Sequence, residues 1–138
     1  MISYELAHLL KDAGLTWEPS SGDRFCVPDR DMDDQVFVIA DMTVDVHDLP
    51  QGRVFGFNGT LEWALDSLEQ QEALWLPRED QLREQLGEAF VRLERPWPGP
   101  YQVSFRLGED IRTVTAEDAD EAYGRALLVT MTARTAVG

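Results

Sequence analysis

The acidic and imidazole side chains of one short segment, DMTVDVHDLP at residues 41–50, are the first candidates for chemistry in this sequence. Polar and apolar residues alternate in it, which is typical of a β-strand with two unlike faces. Asp41, Asp45 and His47 would then share the polar face, with Asp45 and His47 about 7 Å apart along the strand. Carboxylate and imidazole groups at that spacing could bind a divalent ion, or a carboxylate could orient a general-base histidine.

Either kind of site needs further partners, and the available candidates are His8 and Asp41. No nucleophile is visible beside the segment, so a half-exposed strand with a surface histidine is the favoured interpretation. No catalytic residue is therefore assigned. Asp45 and His47 stay candidates for catalysis, and Asp41, Asp45 and His47 stay candidates for metal binding.

The pairing of this strand with the next one decides which side chains are covered. If His47 lies opposite Val54, then Phe55 and Phe57 lie on the same side as the three apolar residues of DMTVDV. A shift by one residue would expose both rings, so the register with His47 opposite Val54 is predicted.

The whole chain predicts an α+β fold. Apolar runs between residues 24 and 57 indicate an antiparallel β-meander. Helical spacing indicates one helix that Ser3 can cap, one that Thr60 can cap and one that begins at Pro77. YQVSFRL, GED and IRTVT form a C-terminal β-hairpin, and Thr115 is placed to cap a final helix. With 138 residues the chain fits a single domain, and RPWPGP marks a loop or subdomain boundary near 95–100.

Charge and composition exclude several classes of function. The net charge of −14 repels phosphate backbones, so direct nucleic-acid binding is not expected. No apolar run is long enough to span a bilayer and the first residues do not resemble a signal sequence, which together predict a cytoplasmic protein without membrane contact. Cys26 is the only cysteine, and the common nucleotide-binding and hydrolase motifs are missing. No cofactor is predicted.

An acidic loop precedes the meander. DRDMDD, residues 29–34, has acids at the first, third and fifth positions of a calcium-binding loop. Asp34 replaces the required glycine and Ala40 the bidentate glutamate, so a solvated acidic loop is favoured. Asp31 and Asp33 of this loop are predicted to form the acidic rim of a binding surface.

The four tryptophans are candidates for contacts with a partner, because this residue type often anchors interfaces. Trp63 lies off the apolar stripe of its predicted helix, and Trp75 stands in a short apolar run. Trp63 and Trp75 are therefore predicted to contact an unknown protein partner. Trp97 lies inside RPWPGP, and burial in the core is the simpler expectation for each ring.

The phrases DMTVDVHD, GFNGTLEWALDS and LWLPREDQL, with the opening GLTWEPSSGDRFCVPDRD, resemble a family of small uncharacterised bacterial proteins. Some members of this family are labelled pilus-assembly proteins. The resemblance spans most of the chain, implies a stand-alone bacterial domain and carries over no catalytic residue.

The sequence thus predicts a small protein-binding or adaptor domain. A metal-assisted hydrolase or lyase that uses the Asp/His cluster on the sheet is the first alternative. An acidic mimic of nucleic acid is the second alternative, and it rests on the net charge.

Overall fold

The computed structural model describes residues 1–28, 36–39, 44–49, 52–57, 67–69 and 73–137. These residues form three helices and nine strands, and the strands make three antiparallel sheets of three strands each. The predicted α+β class is confirmed. The contacts divide the chain into two compact units, which we call the terminal unit (Met1–Thr16 and Leu76–Gly138) and the central unit (Trp17–Trp75).

The central unit contains six short strands. They are β1 (Arg24–Cys26), β2 (Phe37–Val38), β3 (Val44–Leu49), β4 (Gly52–Phe57), β5 (Ser67–Glu69) and β6 (Leu74–Trp75). One sheet has the order β2-β1-β6, and the other is the meander β3-β4-β5. In the meander His47 pairs with Val54 and Val46 with Phe55, so the predicted register is confirmed.

One predicted helix of the central unit is wrong at its end. Ser67 and Leu68, expected in the helix that begins at Thr60, belong to β5, where Leu68 pairs with Phe55. Pairing with β4 satisfies the backbone groups of these residues without a helix. The first part of that helix, residues 60–66, lies outside the described residues.

The terminal unit contains α1 (Tyr4–Asp12), α2 (Glu79–Leu86), β7 (Phe90–Glu94), β8 (Tyr101–Leu107), β9 (Asp110–Ala116) and α3 (Ala119–Val137). A 3-10 turn, Gly87–Ala89, connects α2 to β7. The sheet order is β7-β8-β9, and the predicted C-terminal hairpin is β8 with β9. Helix α3 packs on this hairpin, and α1 and α2 pack on α3. Residues 95–100 connect β7 to β8 within this unit.

Local signals explain where these helices begin. The Ser3 hydroxyl accepts a hydrogen bond from the Leu6 amide at 3.3 Å, so the predicted cap of α1 is confirmed. The Arg78 amide donates to the Gln81 side chain at 2.9 Å at the start of α2. The predicted start of the last helix at Thr115 is wrong, because Thr115 pairs with Gln102 in β9 and α3 begins at Ala119.

The core of the terminal unit is apolar and centres on α3. Ala122, Tyr123, Ala126 and Leu127 are buried on that helix, and Val103 and Phe105 are buried on β8 beneath it. Burial is the main cause that raises the pKa of the Tyr123 hydroxyl, and the charge of Glu79 adds to it.

In the described part of the chain, no helix has the length and apolarity needed to cross a lipid bilayer.

Candidate functional site

The Asp/His segment lies on a strand, as predicted. Asp45 pairs with Gly56 and His47 with Val54, so both positions belong to β3 of the central unit. Their side chains lie outside the described part of the structure, and so does the whole of Asp41. His8 is exposed on α1 of the terminal unit. Among the residues that are described, no group of three or more acidic, histidine or cysteine side chains is arranged to bind a metal ion. A site at Asp45 and His47 therefore stays a prediction.

Trp75 is the one predicted binding residue that lies among the described residues, since Trp63, Asp31 and Asp33 lie outside them. Its ring is half-buried and stacks on Trp17, with the ring centroids 6.3 Å apart and the planes at 8°. Its indole nitrogen is buried and has no hydrogen-bond partner in the described structure. Trp75 thus borders the central unit's aromatic cluster, which consists of Trp17, Phe25, Val27, Ile39 and Ala73 with Phe37 and Trp75 at its edge.

A buried carboxylate fixes the orientation of Trp17. Asp23 is 1% exposed, and its Oδ2 accepts hydrogen bonds from the Trp17 indole nitrogen at 2.8 Å and from the Ser20 amide at 3.0 Å. These bonds satisfy an indole donor that would otherwise lie unpaired in the core. Asp23 therefore has a structural role.

Cys26, 1% exposed in β1, is a small buried residue, as its apolar neighbours predict.

Replacing Asp23 with alanine should lower the free energy of unfolding by about 2–3 kcal/mol, because the Trp17 indole donor and the Ser20 amide lose a charged acceptor. Urea unfolding followed by circular dichroism measures this loss. Asp12→Ala, which removes an exposed carboxylate close in sequence, is the control. Equal stability of the two variants would contradict the role given to Asp23.

The most exposed large apolar side chain among the described residues is Trp97, with 85% of its surface open to solvent. It lies in the segment that we call the Trp97 loop, residues 95–101, which connects β7 to β8 and includes the first residue of β8. The Gly99 amide donates to the Pro96 carbonyl, which closes a tight turn around Trp97. The expectation of burial thus fails for this ring.

An arginine contacts both aromatic rings of the Trp97 loop. The Arg95 guanidinium carbon lies 4.9 Å from the centre of the Tyr101 ring and 6.0 Å from the centre of the Trp97 ring. Both distances are typical of cation–π contacts. The three side chains therefore form one surface cluster, in which the arginine orients the rings without a carboxylate partner of its own in the described structure.

The charge around the Trp97 loop differs from that of the whole protein. Residues 90–116, which include all three strands of the sheet in the terminal unit, contain four arginines and three acidic residues, a balance of +1 in a chain of −14. An acidic partner would meet less repulsion here than elsewhere on the molecule.

The sequence contains one signal for the exposure of Trp97. The three prolines at 96, 98 and 100 keep this tryptophan out of any regular element.

No protein-family model matches the chain, and comparisons with curated proteins and with solved structures give no significant match. The resemblance of the sequence to a bacterial family therefore stays a prediction, and the site has to be interpreted from its own geometry.

Proposed function

We propose that this protein is a small protein-binding domain that contacts its partner through the Trp97 loop. The observation that carries the proposal is the exposed indole of Trp97 with Arg95 and Tyr101 beside it. Tryptophan, tyrosine and arginine are the three residue types that contribute most often to the hot spots of protein interfaces. In this loop the three lie together on the surface.

Several features of the Trp97 loop restrict its conformation. The turn between Pro96 and Gly99 and the prolines on both sides of Trp97 restrict the backbone, and the contacts of Arg95 restrict the side chains. A contact group that is already ordered loses less conformational entropy when it binds. The indole can therefore enter a pocket of the partner at a small entropic cost.

The local charge favours one kind of partner. Arg95 adds a positive charge beside the indole, and the neighbouring strands carry a balance of +1. We therefore expect the partner to offer an apolar pocket for Trp97 with acidic groups at its rim. Trp63, Trp75, Asp31 and Asp33 of the central unit remain proposed additional contacts.

Replacing Trp97 with alanine should weaken binding to the partner by about thirtyfold or more, the loss expected for a hot-spot residue. The free energy of unfolding should change by no more than about 0.5 kcal/mol, because the ring is exposed. The partner is first isolated by quantitative affinity enrichment from a lysate of the source organism. Titration of the purified partner then gives the two dissociation constants.

Ile111→Ala is the matched control for this experiment. Ile111 is 58% exposed on β9 and lies outside the Trp97 loop, so the variant removes a similar exposed apolar group from the same sheet. Binding should survive this change. If the Trp97→Ala protein enriches the same proteins with the same affinity as the wild type, the Trp97 loop is not the contact surface.

Two alternative functions have less support. The metal-assisted hydrolase or lyase rests on Asp41, Asp45 and His47, of which only the strand positions of Asp45 and His47 are described. The acidic mimic of nucleic acid rests on the net charge of −14 alone. Neither offers a described cluster comparable with Arg95, Trp97 and Tyr101.

A further inference from the structure

Strand β9 is an outer strand of the sheet in the terminal unit, and the described part of the chain provides no strand for its free side. It pairs with β8 over its whole length, Asp110–Ala116, and all of its side chains except that of Ala116 are exposed or half-exposed. The backbone groups on the free side of such a strand form a template for a further strand. One of them, the Thr115 carbonyl, accepts a hydrogen bond from Arg125 at 2.6 Å, and a carbonyl oxygen can accept a second one.

The two outer strands of this sheet differ in the features that prevent strand addition. The register of β7 on β8 shifts between Phe90 and Arg92, and a bulge of this kind protects an edge from further pairing. β9 has a regular register and no proline. It is also rich in β-branched residues, which favour extended pairing: Ile111, Thr113, Val114 and Thr115.

The contacts with β8 show which face of the sheet each residue of β9 occupies. Val114 pairs with the buried Val103, which lies beneath α3. Thr113 pairs with Ser104, and their hydroxyl groups form a hydrogen bond at 2.9 Å. Because successive side chains alternate between faces, the odd-numbered residues of β9 lie on the face away from α3.

Net charge limits where two copies of this chain can meet. Each copy carries −14, so the chain as a whole repels a second copy. Residues 90–116, which include β9, have a balance of +1. Repulsion between two copies is therefore weakest along this sheet.

We propose that two copies of the chain form a dimer by antiparallel pairing of β9 with β9. A two-fold axis perpendicular to the sheet keeps both copies of α3 on one face, so odd-numbered residues must lie opposite odd-numbered residues. The register with Thr113 opposite Thr113 pairs the whole strand and places Ile111 opposite Thr115 of the second copy. Neighbouring registers leave the ends of β9 unpaired, and one of them places Arg112 opposite Arg112, where like charges repel.

This contact goes beyond the proposed function, because it does not include the Trp97 loop. Ile111 would face a second copy of the chain, so a cross-link between copies from position 111 would have twice the mass of the chain and would contain no other protein. One pair of strands buries less surface than the ~1,600 Å² of a typical stable interface, so the dimer is expected to exchange with the monomer.

Sedimentation of the full chain over about a hundredfold range of concentration tests the proposal. The average mass should rise from that of one chain toward that of two. Thr113→Lys places like charges opposite each other at the centre of the contact and should weaken the dimer at least about tenfold. Leu9→Lys, which adds the same charge at an exposed position of α1, should change the dimer less than about twofold.

Two further measurements test the register and the strand itself. A mixture of Thr113→Lys and Thr113→Glu should associate at least about tenfold more tightly than either variant alone, because only the mixture places opposite charges at the centre. In the wild type, which needs no substitution, hydrogen exchange at the β9 amides should slow more with rising concentration than exchange in α1.

Four results would each overturn the proposal. The first is a chain that stays a monomer over the whole range, and the second is an equal loss of association in Leu9→Lys and Thr113→Lys. The third is a mixture that associates no more tightly than the separate variants. The fourth is hydrogen exchange at β9 that does not depend on concentration.

Discussion

Replacing Trp17 with alanine will lower the free energy of unfolding by about 3–5 kcal/mol, the loss expected when a large buried aromatic side chain is removed. Trp17 is 6% exposed, contacts Phe25 with ring centroids 5.4 Å apart and stacks on Trp75. The change also leaves the buried Asp23 carboxylate without its indole donor. Both effects act on the same aromatic cluster of the central unit.

Chemical denaturation followed by far-ultraviolet circular dichroism measures this loss. The matched control is Trp97→Ala, which removes the same side chain from an exposed position and should leave the midpoint nearly unchanged. Comparable midpoints for the two variants would contradict the assignment of Trp17 to the core and of Trp97 to the surface.

The second large effect concerns the contact of α1 with α3. A Cβ atom built on Gly124 would lie 2.7 Å from Leu6 Cδ2 and 3.2 Å from Ile2 Cδ1, so the glycine allows α1 to approach α3 closely. Gly124→Val places three carbons in this space and should cost about 3 kcal/mol of unfolding free energy through overpacking. Leu6 and Ile2 are both buried, so the two added methyl groups of valine would meet well-packed side chains.

Two further variants test the cause of this loss. Gly124→Ala should cost less than valine, since alanine adds one carbon and gains about 1 kcal/mol of helix propensity, and the end of the Leu6 side chain can shift. Combining Gly124→Val with Leu6→Ala should recover part of the loss, because the two positions compete for one space. If the valine variant is as stable as the wild type, the close approach of the two helices is wrong.

The pairing of β3 with β4 in the central unit could be predicted because it depends on alternation within a few residues. The positions of Val46, His47, Val54 and Phe55 follow from placing apolar side chains on one face, and the structure has the same register. The hairpin of β8 and β9 and the Ser3 cap are local in the same sense. The pattern of residue types within a few positions is therefore sufficient to predict such features.

Other elements could not be predicted because they depend on distant partners. Leu68 has helical spacing with its neighbours in sequence, but it lies in β5, where it pairs with Phe55 of β4. Thr115 and Asp118 match a helix-capping pattern, yet Thr115 is needed to complete β9 opposite Gln102. In both cases a tertiary hydrogen-bonding partner outweighs the local preference.

The candidate contact surface was only partly predictable. The sequence predicts contacts at Trp63 and Trp75, whereas the most exposed indole among the described residues is that of Trp97. The sequence places this ring between prolines but does not show that Arg95 and Tyr101 would hold it at the surface. That arrangement depends on how β7 and β8 pair on both sides of the loop.

Photo-crosslinking from position 97 tests the proposed contact surface most directly. Trp97 is replaced by p-benzoylphenylalanine, and the same group is placed at Ile111 as the control. A contact through the Trp97 loop predicts a covalent adduct with one partner protein from position 97 and none from position 111. No adduct from position 97, or equal adducts from both positions, would contradict it.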